Sequence, residues 1–210
     1  MKALAGHSVV PVLVIEDASW AKELASALVS SGLPIVEVTL RTPESWAAAE
    51  AMRSVSGLKL GIGSVTRVED LRRGKELGVD FAVSAGIRRD LVESARDLDI
   101  SYLPGVATPS EVLLAVDLGL STAKWFPAET LGGVAALKAI SAPFPAMRFV
   151  PTGGITAANA PTYLSEKNIS AVGGSWMFAK DAMAAKDLTK ISEAAKIAAG
   201  ISASISKEAR

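Results

Sequence analysis

The chain has 210 residues, half of them apolar and 21% charged, which favours one domain with a sizeable core and argues against wholesale disorder. Its 22 basic and 22 acidic residues cancel, and no basic block stands out, so neither nucleic acid nor an anionic membrane is indicated as a partner. With no cysteine and a single histidine, His7, the sequence excludes disulfides, thiolate catalysis and thiolate-bound metals. It nearly excludes a catalytic zinc as well, leaving a carboxylate-bound magnesium as the metal option.

In chain order, the first question is the apolar run at residues 3–15 behind Lys2. Pro11 interrupts it, Glu16-Asp17 closes it, and no small-residue cleavage site follows, so it reads as a first buried strand and not as a leader. No apolar stretch reaches the roughly 18 residues that span a bilayer, and the expectation is a soluble, cytoplasmic protein.

Short apolar runs then alternate with longer amphipathic segments. Strands are predicted over residues 9–15, 35–40, 59–65, 81–85, 101–104, 123–126, 148–151 and 171–173, most of them apolar on both faces, as parallel strands under helices are. Helices are predicted over 18–31, 43–56, 68–77, 88–98, 109–118, 133–141 and 157–165, with a closing helix over 188–205. Thr42-Pro43, Thr108-Pro109 and Thr156 are start signals, and Gly32, Gly57, Gly78 and Gly119 are stop signals. Eight strand–helix units in strict alternation predict an α/β fold, a single-domain (β/α)8 TIM barrel over residues 1–210. In that architecture catalytic groups stand at the C-terminal ends of strands, and the loops after strands seven and eight often hold phosphate.

Lys124 lies in the sixth predicted strand, between Ala123 and Trp125-Phe126. Lysine is seldom buried without a reason, and an amine held in an apolar site can attack a ketone to form an iminium. The alternative is a strand-end lysine that reaches out to solvent, and position alone leaves both open. Lys59 also starts a strand, but at the opposite end.

In Glu37-Val38-Thr39-Leu40-Arg41, strand alternation places Glu37, Thr39 and Arg41 on one face. With the apolar residues turned to the helices, Glu37 points inward as a proton carrier, and the planar Arg41 fork suits a substrate carboxylate. A buried ion pair that only holds the core is the other reading of Glu37. Gly153-Gly154 and Gly173-Gly174-Ser175 follow the last two strands, where backbone N–H groups can approach an anion, although tight turns use such pairs equally. Ser64 would reach the same edge, and a lone hydroxyl there is more often a cap or turn former.

These segments together resemble the 2-keto-3-deoxy-6-phosphogluconate (KDPG) aldolase family, which overlaps 4-hydroxy-2-oxoglutarate (KHG) aldolase. The matches run in order along nearly the whole chain: Val-Pro-Val at 10–12, Glu-Val-Thr-Leu-Arg-Thr at 37–42, Gly-Ile-Gly-Ser-Val at 61–65, Phe-Ala-Val-Ser at 81–84, Leu-Pro-Gly-Val-Ala-Thr at 103–108, Lys-Trp-Phe-Pro-Ala-Glu at 124–129, Pro-Thr-Gly-Gly-Ile at 151–155 and Gly-Gly-Ser-Trp at 173–176.

The resemblance implies a homotrimeric, cofactor-free and metal-free class I aldolase that cleaves a phosphorylated 2-keto-3-deoxy sugar acid to pyruvate and glyceraldehyde 3-phosphate. It maps the Schiff-base lysine onto Lys124, the general acid/base onto Glu37 and carboxylate binding onto Arg41. Phosphate binding falls on Gly153, Gly154, Gly174 and Ser175, and the pyruvate pocket on Ser64, Phe126 and Thr152.

Three features depart from the family pattern. Ser64 stands where Thr is common and Ala85 where Pro is common, and only about eight residues precede the first strand, so the usual N-terminal helix is largely missing. Thr152 leans towards the gluconate substrate, with the galactonate epimer as the alternative. The rivals are a phosphosugar epimerase or isomerase, a metal-dependent aldolase, and a non-catalytic barrel that binds a phosphorylated metabolite. The last of these should have lost Lys124 or Glu37.

Overall fold

The computed structural model describes residues 1–208; Ala209 and Arg210, the end of the expected domain, lie outside the described residues. Among the described residues nine strands form: β1 (Val9–Leu13), β2 (Ile35–Thr39), β3 (Lys59–Gly63), β4 (Phe81–Val83), β5 (Ser101–Leu103), β6 (Gly105–Val106), β7 (Thr122–Trp125), β8 (Arg148–Pro151) and β9 (Val172–Gly174). Every ladder is parallel, in one sheet of order β5-β4-β3-β2-β1-β9 and a second of order β6-β7-β8. Because all run the same way, their C-terminal ends share one edge.

The expected strand at 101–104 is split at Pro104, which has no N–H for a ladder. Its carbonyl still serves, accepting the backbone N–H of Lys124 at 2.8 Å, so β5 leans on β4 while β6 leans on β7. A bridge from Thr152 to Gly173 ties the end of β8 to β9. Strands one to three end one or two residues sooner than predicted. At β3 the cause is Ser64, whose φ of 60° leaves the extended region.

The helices are α1 (Ala21–Ser30), α2 (Ser45–Arg53), α3 (Val68–Leu77), α4 (Arg89–Asp97), α5 (Pro109–Asp117), α6 (Gly133–Ser141), α7 (Ala160–Leu164), α8 (Lys180–Ala184) and α9 (Leu188–Glu208). The Thr108 start signal is a full capping box: Thr108 Oγ1 accepts the Glu111 N–H, and Glu111 returns a carboxylate to the Thr108 N–H. α7 is shorter than predicted because Pro161 fixes its first turn after Asn159 has closed a turn on Thr156. The five-residue α8 was not predicted; it is too short for a helical period to register. None of the described helices is long and apolar enough to cross a membrane.

The N-terminal edge is closed by a short 3-10 turn, Lys2–Leu4. Leu4 is buried and meets Val10, Phe81, Leu103 and Val150 around a residual cavity of about 10 Å³. Burying such a side chain contributes roughly 1.5–3 kcal/mol. Lys59 holds the turn by donating to the carbonyls of Ala3 (3.2 Å) and Ala5 (3.4 Å). A second apolar cluster, including Ile62, Leu71, Leu91 and Leu118, fills the space between β3–β5 and their helices.

Candidate active site

β2 and β7 are not neighbours in either sheet, yet their inward side chains meet. Lys124 Nζ lies 3.5 Å from Glu37 Oε1, and the two residues are only 6% and 3% exposed. This is longer than a tight charge-assisted bond of about 2.7–2.9 Å. The carboxylate is therefore close enough to take the lysine's proton without being locked to it. The ammonium also stands 5.2 Å from the centre of the Phe126 ring, two residues along the same strand face.

Room for the pair comes from the neighbouring strands. A Cβ on Gly63 would lie 2.0 Å from Glu37 Oε1, so only glycine at this register admits the carboxylate. Gly105, the register partner of Lys124, is equally closed: a Cβ there would meet the Ala85 carbonyl at 2.1 Å. That carbonyl belongs to the loop after β4. Ser84 Oγ and the Tyr102 hydroxyl share a 2.6 Å hydrogen bond, and Gly86 O also accepts from Ser84 and from the Gly105 N–H at 3.3 Å, so the loop is held although it lacks proline. Burial, partly offset by the Ser84 bond, pushes the Tyr102 phenol up to about 12, so it stays a neutral hydrogen-bonding group.

Arg41 is exposed at the C-terminal edge, beyond Glu37 on the same strand face. Its Nε donates to Thr39 Oγ1 at 3.3 Å, and Thr39 in turn donates to the Leu13 carbonyl at 2.9 Å. The guanidinium is thus steadied at its base by Thr39 while the residue remains exposed. Ser64 lies half-buried at the end of β3. Thr152 is buried at the end of β8, against Gly173.

The glycine loops form at the same edge. Gly153 and Gly154 have φ of 99° and 78°, which glycine alone adopts without strain. Gly174 lies against the Trp176 ring, and Ser175 is exposed beside it. Ser175 also touches a cavity of about 760 Å³ walled by Val14, Trp20, Phe178 and Met183; Lys124 and Glu37 do not line it. The ten residues singled out in the sequence lie along or just beyond the C-terminal ends of β2, β3, β7, β8 and β9, and Lys124 is within reach of both Glu37 and Phe126. Strand alternation placed Thr39 on this face without giving it a role, and Gly63 and Gly105 were missed as site residues. The period-two pattern Gly61-Ile62-Gly63 inside a strand was the available signal for one of them. Among the described residues, no group of three or more His, Asp or Glu side chains is arranged to hold a metal ion.

The model of the aldolase family described as KDPG and KHG aldolase matches residues 2–194. A 2-dehydro-3-deoxy-phosphogluconate aldolase from Zymomonas mobilis is 47% identical over 169 residues, covering 80% of this chain and 81% of its own. Among solved structures, the KDPG aldolase of Zymomonas mobilis ZM4 with 3-phosphoglycerate superposes with a TM-score of 0.90 at 43% identity, covering 95% of this chain and 94% of the other. The Legionella pneumophila KDPG aldolase, with pyruvate captured as a covalent carbinolamine intermediate, gives 0.88 at 36% identity, over 92% and 95% of the two chains.

Proposed function

The chain belongs to the KDPG and KHG aldolase family, and from that premise we propose that it is a class I aldolase that cleaves 2-keto-3-deoxy-6-phosphogluconate to pyruvate and glyceraldehyde 3-phosphate. The shorter 4-hydroxy-2-oxoglutarate, which would give pyruvate and glyoxylate, is a second substrate of the same site. The observation that carries this reading is the enclosed contact of Lys124 Nζ with Glu37 Oε1 at 3.5 Å. A nucleophilic amine and a proton acceptor on the same reacting atoms are what an iminium mechanism needs.

In this reading Arg41 holds the substrate carboxylate, and Gly153, Gly154, Gly174 and Ser175 hold the phosphate. Lys124 passes a proton to Glu37 and adds to the C2 ketone; Glu37 gives that proton to the departing carbinolamine hydroxyl, which leaves as water, so that an iminium forms and Glu37 is again a carboxylate. Glu37, directly or through a water, then takes the C4 hydroxyl proton as the C3–C4 bond breaks; the bonding electrons flow into the iminium and give an enamine. The aldehyde leaves, Glu37 returns its proton to C3, and water hydrolyses the resulting iminium to free pyruvate and Lys124. Ser64, Phe126 and Thr152 line the pyruvate pocket. No cofactor or metal enters any step.

The finer architecture is part of the same proposal. Residues 1–210 form one domain, a closed (β/α)8 barrel in which β5 and β6 act as one strand across Pro104 and the Thr152–Gly173 bridge completes the circle. The assembly is a homotrimer, for which Leu113 and Val116, exposed one turn apart on α5, offer apolar surface. The setting is cytoplasmic, in keeping with a chain without cysteine.

Incubation with pyruvate, reduction with borohydride and peptide mass spectrometry test the mechanism. The expected adduct is on Lys124. An adduct on Lys59 or any other lysine, or no adduct at all, would refute it, and activity surviving a chelator disposes of a metal-dependent aldolase.

A further inference from the structure

The segment after β7 lies alongside the glycine loop that follows β8. Ala128 and Glu129 donate their backbone N–H groups to the carbonyls of Thr152 (2.8 Å) and Gly153 (3.0 Å). The Glu129 side chain packs on Gly154 so closely that a Cβ there would lie 2.6 Å from both Glu129 Cβ and Cγ. On the far side, Asn159 Nδ2 donates to the Gly154 carbonyl at 3.1 Å.

Glu129 itself is anchored from behind. Its carboxylate accepts the hydroxyl proton of Tyr163, which stands on α7 and is 1% exposed. Burial, reinforced by the Glu129 carboxylate, pushes the Tyr163 phenol up, so it remains a donor at every working pH. A Cβ on Gly133 would come within 3.3 Å of Glu129 Oε1 and 3.4 Å of the Tyr163 hydroxyl, so this contact leaves no spare space.

A carboxylate next to a loop that must receive a phosphate works against binding, because like charges repel. Its geometry makes sense when the charge is drawn away from the loop and its stem is used as a support.

We propose that Glu129 and Tyr163 are positioning residues for the Thr152-Gly153-Gly154 loop. Tyr163 draws the Glu129 carboxylate towards α7, and the Glu129 stem holds Gly154 in its left-handed conformation, ready for a phosphorylated substrate end. The proposal rests on the reading of Gly153 and Gly154 as phosphate-binding residues. It concerns selection of phosphorylated over unphosphorylated substrate, not the chemistry at Lys124.

The test compares wild type, Tyr163→Phe, Glu129→Ala and Glu129→Gln on two substrates, 2-keto-3-deoxy-6-phosphogluconate and the unphosphorylated 4-hydroxy-2-oxoglutarate. Pyruvate trapping on Lys124 is measured in parallel. Tyr163→Phe is expected to raise KM for the phosphorylated substrate about tenfold with kcat nearly unchanged, the loss of one hydrogen bond to a charged group. KM for the unphosphorylated substrate and the trapping yield should stay at wild-type values. Glu129→Ala, at an exposed residue, should move KM in the same direction, and it stands in should Tyr163→Phe fail to fold. Glu129→Gln keeps an acceptor for Tyr163 and should restore wild-type KM or lower it. Equal changes on both substrates, or none on either, would overturn the proposal while leaving the phosphate loop in place. If wild type itself shows no preference for the phosphorylated substrate, the loop assignment falls and the proposal falls with it.

Discussion

Lys59 and Lys124 both sit on strands of the same sheet system, one at each end, and their surroundings give them different capacities. Lys59 starts β3 at the N-terminal edge, half-buried, and donates to the carbonyls of Ala3 and Ala5. A carbonyl satisfies an ammonium but cannot take its proton, so this lysine is a clasp. Lys124 is more deeply enclosed and faces a carboxylate, which can take that proton. The two lysines thus differ less in the strand that carries them than in whether the partner they meet can accept a proton.

The contrast can be broken most sharply at Lys124. Lys124→Arg keeps a cation opposite Glu37 but removes the primary amine, and activity should fall by roughly four orders of magnitude, with pyruvate trapping lost. Steady-state kinetics and mass spectrometry read both. Gly63→Ala should be next in size. Its new Cβ would sit 2.0 Å from Glu37 Oε1, so the carboxylate must shift, and a displacement of that order costs about 10²-fold in kcat. The fold should survive, as judged by circular dichroism.

Lys59→Met tests the other end. It should lower stability by about 1 kcal/mol through the lost carbonyl contacts, measured by denaturant unfolding, and leave kcat unaltered. The smallest effect concerns His7, beside Lys59. Burial, aided by the Lys59 charge, lowers the histidine below its ordinary 6.5, so the folded state favours the neutral ring. Stability is then fully present above pH 6.5 and declines as pH falls through the lowered value, since the unfolded chain binds the proton more readily. In Lys59→Met this acid loss should shrink.

Much of the framework was legible because parallel strands announce themselves as short apolar runs between capped amphipathic helices. α6 formed at its predicted bounds, and Gly32, Gly57, Gly78 and Gly119 all take positive φ as helix stops. The errors have local causes. Val14-Ile15 and Val65 are apolar enough to continue a strand, but the ladder ends first, at Leu13 and Gly63. Pro104 divides a strand that its neighbours' apolar character had joined.

For the site, alternation along β2 indicated that Glu37 faces inward. It could not indicate that Glu37 meets Lys124, because 87 residues separate them and the contact depends on how distant strands are brought together. Glu129 and Tyr163 escaped notice for the same reason, their 34-residue separation having no periodic signature. Gly63 lay inside the strand predicted over 59–65, where a glycine carries no sign of what it faces. Its purpose is the space it leaves, which appears only once Glu37 is seen beside it.

The enclosure of Lys124 and Glu37 has a further consequence when ionic strength is varied. Dissolved ions screen charges that water can reach, over about 8–10 Å at ordinary salt, and hardly touch a pair closed off from it. Arg41, Gly154 and Ser175 are exposed, whereas Lys124 and Glu37 are not. Added salt should therefore weaken capture of a substrate with two anionic ends, one carboxylate and one phosphate, and leave the bond-breaking step alone. On the proposed mechanism, the residues that recognise the substrate lie within reach of the bulk electrolyte and the pair that reacts with it lies outside that reach.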